Sequence, residues 1–261
     1  LRAEHGFDNR GDHLSLSPLL MESFLNLSRS IVLSDNFNRK NCGVWPSLFE
    51  EPKEKERTNE IIDERLNHFL TRAFRRPVDP ATLNRYSSHT ADLIKSGSTF
   101  LDAMKETVSA ILASPRFLYL YDSESKKANK FKDYELATRL SFFLWGSIPD
   151  DVLIERAASG NLSNPDVLRA EVERMLLDGR LKRFCDSFPS QWLQLDRIIS
   201  SVPDPKKYPD FYYAPPNYRT TMDMMMEPLL LFETILVEDR PITDLIDSDY
   251  SYRSKRLSKW Y

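Results

Sequence analysis

Three small clusters have the residue types and spacing to do chemistry. Asp8, Asn9 and Asp12 set three oxygen donors in one glycine-containing loop, and hard cations such as calcium take such oxygens. The spacing lacks the acidic residue that closes an EF-hand loop. The competing reading is a turn ahead of a helix, in which Asp and Asn side chains satisfy backbone N–H groups. Glu135 and Arg139 lie four apart and meet on a helix. At the surface such a pair contributes about 0.3–0.5 kcal/mol. On a buried helix it would tie two helices together, and that structural use is expected over a catalytic carboxylate. Arg72, Arg75 and Arg76 crowd the expected end of a helix. They could form an anion site, but complementing the negative end of the helix dipole is the simpler use.

Aromatic residues give a fourth candidate. Tyr208, Phe211, Tyr212, Tyr213 and Tyr218 fall in a proline-rich loop and suit a partner or sugar surface. Trp145 and Trp192 sit on apolar stripes and are expected in the core. They would serve as a sugar platform only if exposed and coplanar.

The remaining reactive types show no site. His5, His13, His68 and His89 lack metal spacing, although His5 and His13 flank the Asp8–Asp12 loop. Met222, Met224, Met225 and Met226 read as core gap-fillers more than as haem ligands. Cys42 and Cys185 lie far apart, outside CxxC and CxxCH, and read as two separate thiols. They could pair only if their Cα atoms came within about 7 Å. GxSxG, P-loop, dinucleotide and HExxH patterns are absent. No catalytic or cofactor-binding residue is assigned on this reading, and the Asp8–Asp12 loop is the one metal candidate.

The elements that must position these residues read as helices. The chain has 261 residues, 41% of them apolar and only seven glycines. That is enough for one large or two small domains with a sizeable core, and too few glycines for a turn-rich β-sandwich. A net charge of −3 gives no drive toward nucleic acid. No apolar run approaches the roughly 20 residues of a membrane span. Leu1-Arg2-Ala3 and Lys259-Trp260-Tyr261 both read as cut ends, so targeting segments could lie outside the sequence.

Apolar periodicity predicts a helix after Ser17-Pro18 with Leu20, Phe24, Leu27 and Ile31 facing inward. Residues 34–57 lose periodicity and run into the charged stretch Glu50–Arg57, read as a solvated linker or loop and a candidate boundary. Three helices follow, starting at Thr58 or Asn59, after the Asp79 cap and at Ser98 or Thr99, with Ser114-Pro115 closing the unit. Residues 122–132 read as a second linker. The last part is again helical: 133–145 stopped by Gly146, about 150–158 capped by Asp150, one from Asn164-Pro165 and one over 181–195. A long apolar helix over about 217–238 comes last. Pro189 and Pro228 fall inside two of these patterns and predict kinks or breaks. The fold class is all-α: two packed helical bundle units with irregular Pro/Tyr-rich loops.

Three stretches resemble planctomycete-type domains of unknown function, the PSD series, in family order. Gly6-Phe7-Asp8-Asn9-x-Gly11-Asp12, through Ser17-Pro18, resembles the end of type three. Phe69-x-x-Arg72-Ala73-Phe74-Arg75-Arg76-Pro77, closing with Ile111–Tyr119, resembles type five. Residues 133–261 resemble type four. The type-four features are Glu135-Leu136-Ala137-x-Arg139-Leu140-Ser141, Phe143-Leu144-Trp145, Pro149-Asp150-Asp151, Arg174-Met175-Leu176, Phe188, Trp192-Leu193, Glu227, Asp249-Tyr250 and Tyr261. Glu135, Arg139, Trp145, Asp150, Trp192 and Glu227 are accordingly the structural motif residues.

The resemblance implies three parts. Residues 1–57 are the truncated end of a type-three-like domain plus a charged linker. Residues 58–122 are a three-helix type-five-like unit. Residues 133–261 are a type-four-like domain, incomplete at its C-terminus. It further implies a large exported bacterial protein, periplasmic or secreted, with haem c in a missing upstream region. Other domains of the same polypeptide are its expected partners, with carbohydrate or protein as further ones and neither nucleic acid nor a membrane span. The expected function is a helical structural or interaction module. The alternatives are part of an extracytoplasmic oxidoreductase or polysaccharide-active enzyme whose site needs missing domains, or a carbohydrate-binding surface.

Overall fold

The computed structural model describes residues 17–120, 131–201, 203–209 and 217–259. Among these residues the elements are helices and loops, with no strand. Contacts divide them into two compact units. The first holds Ser15–Phe142 with Ser147–Leu168, and the second holds Phe143–Gly146 with Arg169–Tyr261.

Side-chain caps start most helices of the first unit where the sequence places them. Helix α1 (Pro18–Val32) begins under Ser17, whose Oγ accepts from Leu20 N. The single turn α2 (Trp45–Leu48) and α3 (Thr58–Ala73) come next. Asp79 caps α4 (Pro80–Lys95), accepting from Thr82 N at 2.8 Å. Thr99 caps α5 (Phe100–Leu112) and Ser114 the short α6 (Pro115–Leu118). Such caps satisfy N–H groups that the helix itself leaves without partners. Helix α3 packs on α4, and α4 and α1 pack on α5. The shared core includes Ile62, Leu66, Leu70, Phe74, Met104 and Ile111. One polar contact crosses it: the Thr90 and Thr107 hydroxyls meet at 2.7 Å.

Two expectations for this unit are corrected. Helix α1 buries Ser28 and Val32, while Leu20, Leu27 and Ile31 stay 40–54% exposed. The helix is apolar over two adjoining faces, and periodicity cannot choose between them. The choice falls to polar contacts with α5: Ser28 donates to the Ser109 carbonyl at 2.9 Å, and Arg29 pairs with Glu106. The stretch after α1 is also no solvated linker throughout. Leu48 and Phe49 are fully packed, and Phe37 and Trp45 flank Phe49 at 5.5 and 5.3 Å between ring centres. The Lys105 ammonium lies over both Phe37 and Trp45. Aromatic residues in an irregular loop bury themselves without any helical period to announce it.

Helix α7 (Lys132–Trp145) passes from the first unit into the second at Phe143. Gly146 ends it at φ +56°, a left-handed conformation that glycine adopts without a Cβ penalty. Helix α8 (Asp151–Ala158) starts under Asp150, whose Oδ1 accepts from Leu153 N at 3.1 Å. Helix α9 (Pro165–Leu176) follows.

In the second unit α10 (Lys182–Trp192) and α11 (Asp196–Ser200) pack on α12 (Asn217–Val237), and α13 (Asp244–Asp247) packs on its end. The breaks expected at Pro189 and Pro228 are absent; both prolines lie inside continuous helices. A proline removes one helical hydrogen bond but can leave the rest. Here Leu193 N still donates to the Pro189 carbonyl at 2.9 Å, and Pro189 is buried. Packing outweighs the local propensity.

Candidate functional site

Helix α7 carries the densest motif of the chain, and its two ends, in different units, each have contacts of their own. At its start Asp133 is buried. Its Oδ2 accepts from Leu162 N at 2.9 Å and Ser163 N at 3.4 Å. The carboxylate thus fixes the loop between α8 and α9 against the α7 N-terminus, where the helix dipole also favours negative charge.

One turn further, Tyr134, Glu135 and Thr138 line a small cavity together with Phe74, Arg75, Arg76 and Arg116. Its volume is about 20 Å³, room for about one water molecule. Arg75 is 4% exposed and sits at φ +59° just past the end of α3. Its Nη1 donates to the carbonyls of Phe117 at 3.0 Å and Ala73 at 3.3 Å. Its Nη2 donates to those of Tyr119 at 2.6 Å and Arg116 at 3.2 Å. The guanidinium thereby closes the chain end of α6, and it stacks over Phe142.

The other arginines have separate duties. Arg76 lies over Phe131, Arg72 pairs with Asp151 at 3.5 Å, and Arg116 donates to Thr82 Oγ1 at 2.9 Å. Of the expected basic cluster, Arg75 and Arg76 line this cavity together, and Arg72 pairs elsewhere, with Asp151. Thr138 spends its hydroxyl on the Tyr134 carbonyl at 2.8 Å, and burial pushes the Tyr134 phenol above its ordinary range. Glu135 is buried and Arg139 exposed.

The far end of α7 is held in the second unit. Trp145 is fully buried and donates its indole N–H to the Met175 carbonyl at 3.1 Å. Two guanidiniums face its ring, Arg180 at 3.4 Å and Arg174 at 5.5 Å from the centroid. Each is oriented by a carboxylate. Asp178 accepts from Arg180 Nε at 2.9 Å and Nη2 at 2.7 Å, and Glu171 accepts from Arg174 Nε at 2.8 Å. The Arg180 hydrogen bonds pull the Asp178 carboxyl down to about 2. Trp145, Arg174 and Met175 are thus neighbours in space. Cations over an indole face are attracted by its quadrupole.

The comparisons with known proteins can be set beside this geometry. The family model for PSD4, a protein of unknown function (DUF1592), matches residues 131–261. That is half of the chain. The chain belongs to the PSD4 family. The model for PSD5, a protein of unknown function (DUF1595), matches residues 62–122. No curated protein and no solved structure matches. The small cavity therefore draws Phe74, Arg75, Arg76 and Arg116 from the PSD5 stretch and Tyr134, Glu135 and Thr138 from the PSD4 stretch.

Other PSD4 residues tie the end of the chain to α12. The Ser251 hydroxyl donates to Glu227, and Asp223 accepts from Ser254 Oγ at 2.6 Å and Arg256 Nε at 2.8 Å. Lys182 bridges Asp186 at 2.6 Å and Glu233 at 2.9 Å, joining α10 to α12. Sequence reading missed Asp133, Asp223 and the Arg180–Asp178 pair. Asp223 and Glu227 lie one helical turn apart and Asp178 and Arg180 two residues apart, which were the available signals; Asp133 had none, because its partners are backbone N–H groups distant in sequence.

Trp192 corrects an expectation. It is 46% exposed, not core. Phe184, Phe188 and Trp192 stack along α10 at 5.3 and 5.7 Å, and Phe232 covers the first two. Trp192 is the last residue of the helix. Trp145 is fully buried, so it and Trp192 are not an exposed, coplanar pair.

Met222 and Met226 are exposed, while Met224 and Met225 are half-buried. Tyr208 is 59% exposed, and His68 and His89 are exposed. Asp8, Asn9, Asp12, His5, His13, Phe211, Tyr212, Tyr213 and the Tyr218 side chain lie outside the described residues. Cys42 is a half-buried free thiol and Cys185 a buried one, which burial pushes up to about 11. Among the described residues no three His, Cys, Asp or Glu side chains gather as a metal site. No described helix is long and apolar enough to cross a membrane.

Proposed function

We propose that this chain is a helical structural and interaction module that holds together neighbouring domains of one large extracytoplasmic bacterial polypeptide. Arg75 carries the reading. A guanidinium that binds substrate keeps donors facing an opening, whereas Arg75 spends its own on four backbone carbonyls beside a cavity of about 20 Å³. Asp133, Trp145, Arg174 and Glu227 are committed to internal contacts in the same way. The motif residues act as fasteners between elements. Exposed apolar side chains on α1 and Trp192 on α10 suit contact with further protein. Export, and association with a haem c domain, rest on the family resemblance alone.

Hydrogen exchange tests this. Amides of residues 17–261 are compared in the isolated chain and in the complete polypeptide that carries it. Added protection on α1 and the end of α10 is the expected result. Turnover of a substrate by the isolated chain, or protection by a small molecule centred on Arg75 and Glu135, would overturn the reading.

A further inference from the structure

We draw no further inference here: the strongest candidate, the exposed apolar stripe of α1 formed by Leu20, Leu27 and Ile31, adds nothing to the interaction role already proposed, because nothing in the structure shows what covers it.

Discussion

The Arg180 guanidinium lies 3.4 Å from the centre of the Trp145 ring, and the same indole donates its N–H to the Met175 carbonyl at 3.1 Å. Trp145 and its partners are some thirty residues apart in sequence, yet they form one clamp: a buried indole with two arginines over its ring, each steadied by its own carboxylate. The arrangement leaves the ring no open face and makes it a packing element.

Replacing Trp145 therefore changes stability. Trp145→Ala removes a fully buried ring and is expected to cost about 3–5 kcal/mol. Trp145→Phe keeps most of the apolar volume but leaves the Met175 carbonyl without its donor, at about 1–3 kcal/mol. Urea unfolding followed by circular dichroism measures both. A loss below about 0.5 kcal/mol for Trp145→Ala would contradict the clamp.

Acid weakens the protein through two carboxylates. Hydrogen bonds from Arg180 hold Asp178 at about 2, and those from Thr82 hold Asp79 at about 2. In the unfolded chain a carboxyl of this type titrates near 3.9. A lowered folded value stabilises the native state above the unfolded value. That contribution is present at neutral pH and is lost as pH falls from about 4 toward 2. The Asp79 side chain is exposed and that of Asp178 about a third exposed, so solvent screens and reduces the effect, most of all at Asp79. Urea midpoints measured from pH 6 to pH 2 should fall less steeply when Asp79 and Asp178 are both replaced by Asn than in the unaltered chain. Equal slopes would show that other groups govern acid unfolding.

The two thiols should differ in reactivity. The thiolate is the reacting form. Cys185 is fully buried and pushed up to about 11, so it is protonated and shielded at pH 8. Ellman's reagent should titrate Cys42 in the native protein and Cys185 only after denaturant is added. Prompt reaction of both thiols under native conditions would show that α10 opens readily.

Sequence and structure agree best where one residue acts locally. Ser17, Asp79, Thr99 and Asp150 announce helix starts because a cap bonds two or three residues along the same chain. Gly146 announces a stop for the same reason. The motif residues were legible as important, but their contacts were not. Arg75 reaches Phe117 and Tyr119 across more than forty positions, and no spacing rule encodes that distance. Helix α1 shows the other failure. Its apolar period is clear, yet two faces satisfy it, and a serine contact with α5 decides which is buried. The prolines do not break their helices, for an energetic reason: a local cost of about 3 kcal/mol is smaller than what a packed helix contributes.

The cavity shared by the two matched stretches has a consequence for folding. The first compact unit extends through Phe142 and takes in the start of the PSD4 stretch. A chain limited to residues 62–122 lacks α1, the Asp133 tie and the Phe142 ring against Arg75. It is expected to unfold without a cooperative transition, whereas residues 17–168 should show one. A sharp calorimetric peak from 62–122 alone would contradict this.

Arg75 offers the most direct test of the central claim. Residues kept for catalysis are commonly poor for stability, and replacing them leaves a protein as stable or more so. A fastener behaves in the opposite way. Arg75→Met keeps the bulk and removes the donor from four carbonyls, three of them part-buried, so its urea midpoint should drop by the equivalent of about 2 kcal/mol, with Arg75→Lys in between. A midpoint for Arg75→Met equal to or above that of the unaltered chain would contradict the structural role assigned to the motif.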